Sequence, residues 1–323
     1  MTATIVTGAT GFLGGAVTRR LLAAGEPVIA VGRNRKKLAD LAKLGATPLE
    51  LDLVHGEIPQ TLPSASHLVH CAALSSPWGA RCAFEAANVH GTQRAMDLAR
   101  AAGVGRFVHI SSPSVYFRFA DQEEIPEDTI LPPPVNAYAA TKAASETLVL
   151  AEPSLDPVIL RPRGLYGPGD TALLPRLLRA ARQRPLPLMR GGNAATDLTY
   201  IDDVVNAVLA AMDALSPAAR VFNISGGQAL SIRSVAEQAA AKAGIEVRWR
   251  SLPWSAVQAV TRLNEALHAA LPGRPEPAVT AYSAGLFAFR QTLDISRACD
   301  QLGWQPRITF EDGLERTFAE QDA

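Results

Sequence analysis

The chain opens with a short apolar run, Ala3–Thr7, that leads without a break into Thr7-Gly8-Ala9-Thr10-Gly11-Phe12-Leu13-Gly14 and then into a helical pattern. Glycines at this spacing, between a strand and a helix, constrain the fold more than any other feature of the sequence. Gly8 permits a tight turn, Gly11 lets backbone approach a pyrophosphate, and Gly14 lets the helix pack close to the strand. The helix N-terminus offers unpaired N–H groups to an anion. A bare strand-to-helix turn is the plainer reading, but the motif stands in the context that dinucleotide binding demands.

The alternation continues along the first half of the chain. Apolar runs at Val28–Val31, His67–Cys71, Arg106–Ile110 and Val158–Leu160 are set among helical patterns at Phe12–Ala24, Arg35–Leu44, Ala80–Ala102 and Ala137–Leu150. Short β-branched runs separated by helices predict right-handed βαβ units and a parallel sheet. Ligands of such sheets sit beyond the carboxyl ends of the strands. Pro and Gly then crowd Arg161–Asp170, and strict alternation stops. A helix over Leu173–Arg184, a strand near Asp197–Tyr200, a helix over Asp203–Leu215 and a strand over Val221–Ile224 follow, before a helical and loop-rich final hundred residues. The expectation is an α/β fold: a parallel sheet flanked by helices, with a smaller mixed α/β C-terminal substrate lobe. The cofactor-binding domain is expected over residues 1–164 with 199–224 returning to it, and the lobe over 165–198 and 225–323.

Composition narrows the function classes. The 323 residues carry 31 Lys+Arg against 31 Asp+Glu, so no global basic field supports a nucleic-acid partner. Hydrophobic residues at 48% and charged residues at 19% describe a globular chain, and 6% aromatics argue against a base-stacking surface. Cys71, Cys82 and Cys299 form no CxxC pair and are odd in number, so neither a disulfide framework nor a metal site is expected. The start has no signal-peptide pattern, and no apolar run approaches ~18 residues. The expectation is a cytoplasmic protein without a membrane span.

The second strand bears on the choice of dinucleotide. An NAD site wants an acid about 20 residues past the glycines, to bond the ribose 2′-hydroxyl. Here the strand ends Val31-Gly32-Arg33-Asn34-Arg35-Lys36-Lys37, with no carboxylate. Arg33, with Arg35, Lys36 or Lys37 nearby, suits a 2′-phosphate. NADP(H) is therefore favoured over NAD(H). Asp52, followed by Leu53, stands after the apolar stretch Pro48–Leu51 and either meets the adenine end or is a plain turn residue. The small residues of Cys71-Ala72-Ala73 let a cofactor lie close, and His70 before them either joins the site or is a satisfied strand-end histidine.

Tyr138 and Lys142 stand at i and i+4 and share one helix face. A lysine ammonium beside a phenol favours phenolate and lowers its pKa, which suits a group that shuttles a proton to a substrate oxygen. The strand Arg106–Ile110 leads into Ser111-Ser112-Pro113-Ser114, where Ser112 would bond the reacting oxygen and Ser111 and Ser114 either compete for that role or cap the loop.

With these motifs in order, the chain resembles the extended short-chain dehydrogenases/reductases. The resemblance rests on TGATGFLG, on Asn88 in Asn-Val-His-Gly-Thr, on Ser112, and on Tyr138 with Lys142. Arg161-Pro-Arg-Gly-Leu-Tyr-Gly-Pro-Gly-Asp170, Tyr200-Ile-Asp-Asp203 and Leu302-Gly-Trp-Gln-Pro306 extend it over nearly the whole chain. It implies a Rossmann fold of about seven strands. It also implies Tyr138 as general acid/base, Lys142 as its activator and nicotinamide-ribose ligand, Ser112 as orienter, and Asn88 as a supporting residue; Asn88 as a helix-packing amide is the alternative. Family members often dimerise through four helices, here Ala80–Ala102 and Ala137–Leu150 from each copy, so a homodimer is possible.

Two departures favour a reductase branch, similar to 3β-hydroxysteroid dehydrogenase-like and 2-alkyl-3-keto acid reductases. Nucleotide-sugar members often carry Asn where this chain has Gly164, and a diphosphate-gripping Arg where it has Thr196. The expected reaction is a ketone to a secondary alcohol, on a small-molecule substrate of β-keto acid or steroid-like type. A nucleotide-sugar epimerase or dehydratase and a non-catalytic NADP sensor are the alternatives. Ser75, in Leu74–Gly79, and Gly164 are candidate substrate contacts beside Ser112 and Tyr138. Arg176, with Arg179 and Arg182 three residues apart, either catches an anionic group or is a solvated helix face. Trp78, Phe117, Phe119, Trp254 and Phe287 either line an apolar pocket or pack the core.

Overall fold

The computed structural model describes residues 2–59, 61–215 and 217–319. Seven strands make the main sheet: β1 (Ala3–Thr7), β2 (Val28–Gly32), β3 (Thr47–Glu50), β4 (Ala65–His70), β5 (Arg106–Ile110), β6 (Val158–Pro162) and β7 (Val221–Ile224). Their order is β7-β6-β5-β4-β1-β2-β3, with every pair parallel. The order reverses at β1, so the crevice between the carboxyl ends of β1 and β4 is the topological switch point where such sheets take ligands. The flanking helices are α1 (Phe12–Ala23), α2 (Arg35–Lys43), a long α3 over residues 81–101, and α4 (Ala137–Leu150).

Alternate strand residues face opposite layers. Val6, Val69, Val108 and Leu160 join Leu13 and Val17 of α1 in one buried cluster. Ile5, Leu68, Phe107 and Ile159 join Ala95, Leu98 and Ala99 of α3 and Val149 of α4 in the other. β2 and β6 are buried along their whole length, as central strands of a two-sided sheet must be.

Some elements depart from the sequence pattern. The stretch Pro48–Leu51 supplies an additional strand, β3, which pairs at the edge with β2. The helix expected over Ala80–Ala102 is built of Arg81–Phe84, a π-helical stretch Glu85–His90, and Gly91–Ala101. The wider π turn interrupts the ordinary period at Asn88, as such turns often do at functional sites. The strand expected near Asp197–Tyr200 is split into Ala195–Thr196 and Thr199–Tyr200, which belong to different sheets. Ala195–Thr196 lies in a four-stranded sheet with Leu230–Ser231, Gln291–Leu293 and Gln122–Ile125.

Beyond it come α5 (Leu174–Gln183), α6 (Ile201–Asp213), α7 (Ile232–Lys242), α8 (Trp254–Ala270) and α9 (Ala281–Leu286). Two of the sequence landmarks meet here. The Trp304 indole donates to the Asp203 main-chain oxygen at 2.9 Å, and the Arg307 and Ile308 amides donate to its carboxylate at 3.1 and 3.0 Å. No helix among the described residues is long and apolar enough to cross a membrane.

Candidate active site

At the end of β1 the chain turns with Gly8 at φ +67°, and the Gly11 amide closes the turn on the Gly8 oxygen at 2.8 Å. A Cβ on Gly8 would stand 2.8 Å from the Ala72 nitrogen, and one on Gly14 would stand 2.3 Å from the Gly8 oxygen. Both positions therefore exclude a side chain, one by the approach of the β4 end and the other by the seating of α1. No side chain caps α1 and no acid lies in its first turn, so its leading amides keep their capacity for an anion. Within that first turn Leu13 is buried in the core, and Phe12 lies against Gly169. Cys71 follows β4 with its amide on the Thr7 oxygen at 3.2 Å; Ala73, two residues on, is exposed. Burial pushes the Cys71 thiol up to about 12, so it remains a thiol.

At the far end of β2, Arg33 is exposed and stands 3.8 Å from Asp52. Asp52 also accepts the Val54 amide at 2.9 Å, so it is both a turn residue and a neighbour of Arg33. The Leu53 side chain is buried and packs towards Gly91, not towards open space. The expected cluster of four bases is smaller than it looked. Arg35 is drawn off by Glu50, to which its Nε donates at 2.7 Å, because β3 brings that carboxylate alongside. Lys37 reaches back to the Thr10 main-chain oxygen at 3.2 Å and so joins the glycine turn.

Tyr138 sits in the first turn of α4, which Asn136 caps by accepting the Ala139 amide at 2.8 Å. Its hydroxyl faces the side-chain hydroxyls of Ser112 and Ser75. The three serines after β5 are thereby distinguished. Ser112 faces Tyr138, Ser111 donates to the buried Glu146 carboxylate, and the buried Ser114 hydroxyl has no partner among the described residues. Burial holds the Tyr138 phenol above its ordinary pKa, and the two serine bonds oppose that rise. The lowering expected from Lys142 is absent. The lysine, itself buried, donates to the Ile110 main-chain oxygen at 2.6 Å and lies 3.3 Å from His109 Nε2.

Asn88 does more than pack a helix. Its side chain accepts the Leu74 amide at 2.7 Å and donates to the Leu74 oxygen at 3.2 Å and to Thr141 at 3.1 Å. The π turn thus fixes the loop that carries Ser75 against α4. His70 is a satisfied strand-end histidine, with Nδ1 2.7 Å from Thr7 Oγ1 and Nε2 3.1 Å from Thr92 Oγ1. Desolvation, with help from the Lys142 charge, pushes it down to about 3.

The Arg161 landmark is turned inward. It pairs with Glu146 through Nε at 2.8 Å and donates to Tyr116 and to the Glu127 main-chain oxygen. Gly164 has φ +53°, and a Cβ there would stand 2.4 Å from Leu198 Cδ2. Thr196 accepts from Arg163 Nε at 3.0 Å, and Arg163 is also paired with Asp197 at 3.0 Å. Arg176 is exposed and paired with Glu276 at 3.2 Å, and Arg179 and Arg182 are exposed as well.

A cavity of about 200 Å³ lies beside Tyr138, lined by Trp78, Phe84, Phe119, Asn136, Glu265 and Tyr282 among others. The Phe84 ring is 6.4 Å from that of Tyr138. Of the five aromatics named from sequence, Trp78 and Phe119 line this cavity. Phe117 is buried behind Phe119, Trp254 packs on Phe289, and Phe287 joins that same cluster. Sequence reasoning missed His109, Glu146, Phe84 and Tyr282. None carries a motif; Asn136 was missed as well, though an Asn just before a helical pattern is a cap signal.

Residues 4–225 match the NAD dependent epimerase/dehydratase family. The 2-alkyl-3-oxoalkanoate reductase of Stenotrophomonas maltophilia (strain K279a) is 33% identical, over 99% of this chain and 99% of its own. The 4-hydroxy-2-methyl-3-oxo-4-farnesyl-3,4-dihydroquinoline-1-oxide ketoreductase of Stigmatella aurantiaca is 31% identical, over 97% and 94%. Among solved structures, MoeE5 in complex with UDP-glucuronic acid and NAD superposes with a TM-score of 0.75 at 27% identity, covering 99% of this chain and 100% of that one.

Proposed function

The chain belongs to the NAD dependent epimerase/dehydratase family and is an enzyme of oxidoreductase type, and from that premise we propose that it interconverts a ketone and a secondary alcohol with NADP(H), on a β-keto acid or steroid-like substrate. The observation that carries this reading is the meeting of the Tyr138 hydroxyl with those of Ser112 and Ser75 at the carboxyl end of β5. The glycine turn, the uncapped start of α1 and the small residues Ala72 and Ala73 fit a dinucleotide, with Lys142 towards its nicotinamide ribose. Arg33, with Lys36 nearby, would hold the 2′-phosphate. Bound there, NADPH supplies the hydride for the ketone carbon.

The chain's own groups do the rest. Ser112 holds the ketone oxygen, and Tyr138 gives it a proton as negative charge develops there. The raised pKa of Tyr138 keeps that proton in place at neutral pH. Asn88 holds the Ser75 loop in register with α4 through its bonds to Leu74 and Thr141. In the reverse direction Tyr138 takes the proton back.

The family resemblance to nucleotide-sugar enzymes supports a second reading, epimerase or dehydratase. The crowding of Gly164 against Leu198, and a Thr196 hydroxyl engaged by Arg163, weigh against a diphosphate site of that kind. The test follows NADPH and NADH absorbance against β-keto acids, ketosteroids and UDP- or GDP-sugars. Ketone-dependent NADPH oxidation is the expected result. Epimerised sugar without net cofactor change overturns it in favour of the second reading, and binding without turnover reduces the protein to a sensor.

Three further proposals complete this reading. Residues 1–164 with 199–224 form the cofactor-binding domain, with 165–198 and 225–323 as the substrate lobe. Three free cysteines suit a reducing cytoplasm. A homodimer would use the outer faces of α3 and α4, where Val89, Ala140 and Ala144 line a shared groove.

A further inference from the structure

Two hydrogen-bond donors that line the cavity beside Tyr138 have no partner among the described residues. Asn136 Nδ2 is buried without a partner among the described residues. The other end of that amide accepts the Ala139 amide at 2.8 Å, so the helix cap fixes which end is nitrogen. The Tyr282 hydroxyl makes no hydrogen bond among the described residues, and its ring is seated edge-on against Phe117 at 4.9 Å. Burial pushes that phenol up to about 12 against the opposing charge of Arg163, itself paired with Asp197 at 3.0 Å, and the neighbouring Tyr138 adds to the rise, so Tyr282 remains a donor. The unmet Asn136 nitrogen is costly to bury, and a ligand acceptor recovers that cost.

The rest of the wall says what kind of acceptor fits. Trp78, Phe84 and Phe119 are aromatic, and no Lys, Arg or His is among the described residues that line the cavity. Its one charged lining group is the Glu265 carboxylate, held by the Ala281 amide at 2.7 Å. A second carboxylate or a phosphate placed here would meet like charge in an apolar surround.

We infer that Asn136 and Tyr282 recognise an uncharged acceptor oxygen of the substrate, such as an ester, thioester or amide carbonyl, on an apolar arm that fills the cavity beside Tyr138. This rests on the ketone reductase reading and departs from it on the substrate: a neutral β-keto carbonyl compound is preferred in place of the free β-keto acid.

The experiment measures NADPH-dependent reduction of methyl 3-oxodecanoate, the 3-oxodecanoate anion and decan-3-one by the wild-type protein and by Tyr282→Phe and Asn136→Ser. Phenylalanine keeps the ring against Phe117, and serine keeps a helix cap. Melting temperature and NADPH binding confirm that each variant is folded. The expected result is a kcat/KM for the ester about tenfold or more above that for the anion, and a loss of about tenfold for the ester in each variant. Decan-3-one, which lacks the second oxygen, should change less than about threefold. Equal or better use of the anion, or variants that lower all three substrates alike, overturns the inference and leaves the reductase reading intact. Absence of turnover with every ketone overturns both.

Discussion

The Lys142 ammonium donates to the Ile110 main-chain oxygen at 2.6 Å, which ties α4 to the carboxyl end of β5. Burial lowers this lysine to about 8, against the opposing pull of Glu146. It therefore carries charge below about pH 8 and loses it as pH rises through that value. Tyr138, shifted upward, keeps its proton over the same range. Ketone reduction should accordingly fall off above about pH 8. A kcat/KM profile that stays flat to pH 10 would show that the lysine charge is not needed.

Tyr138→Phe removes the proton donor but leaves the ring near Phe84 and the α4 cap in place. Turnover should drop by about a hundredfold or more, the range for loss of a general acid. NADPH affinity, read by fluorescence titration, should change little. A variant of near wild-type activity would remove Tyr138 from its role.

Arg33 lies 3.8 Å from Asp52 at an exposed position, so its loss costs the fold little. Arg33→Asp should weaken NADPH binding by about tenfold or more, the value of one charge-assisted phosphate contact, and change NADH binding only slightly. An unchanged preference between the two nucleotides, measured by Kd, would reject NADP(H).

Gly14→Ala would drive a Cβ to 2.3 Å from the main-chain oxygen of Gly8, which no side-chain rotation relieves. The expected cost is about 1–3 kcal/mol or more, seen as a lower urea midpoint, together with loss of dinucleotide binding as α1 is displaced. Retention of both would mean that the turn is more pliant than its contacts indicate.

His70 is buried, satisfied at both ring nitrogens and shifted down to about 3, chiefly by desolvation. Its folded pKa is below the unfolded value of about 6.5. The unfolded chain therefore binds the extra proton between these limits, and stability is lost as pH falls through that window, by up to about 1.4 kcal/mol per pH unit for this group. His70→Gln should flatten the acid limb of the urea midpoint against pH. An equally steep limb in the variant would assign acid sensitivity to other groups.

Much of the fold was legible because its signals are local. Alternating faces of β1 and β5, helical periods and a glycine turn each act within one or two turns of chain. They determined the parallel sheet, the glycine turn at its first crossover, and the placement of Tyr138 and Lys142 on one helix. Even there, spacing misjudged the electrostatics. A shared face does not say where an ammonium points, and a main-chain oxygen of β5 claimed it.

What only the tertiary structure decided depends on segments far apart in sequence. Gln122–Ile125 pairs with Gln291–Leu293, and Tyr282 arrives beside Asn136 from the far end of the chain. Glu50 reaches Arg35 because β3 lies next to β2, and Ser111 is distinguished from Ser112 by Glu146. These partners carry no spacing pattern, since the contact is set by chain crossings and not by helical or strand period. The sequence alone determined which reactive side chains the chain carries and on which local elements they stand. The packing decided which donors remain unmet, and so what those residues are free to bind.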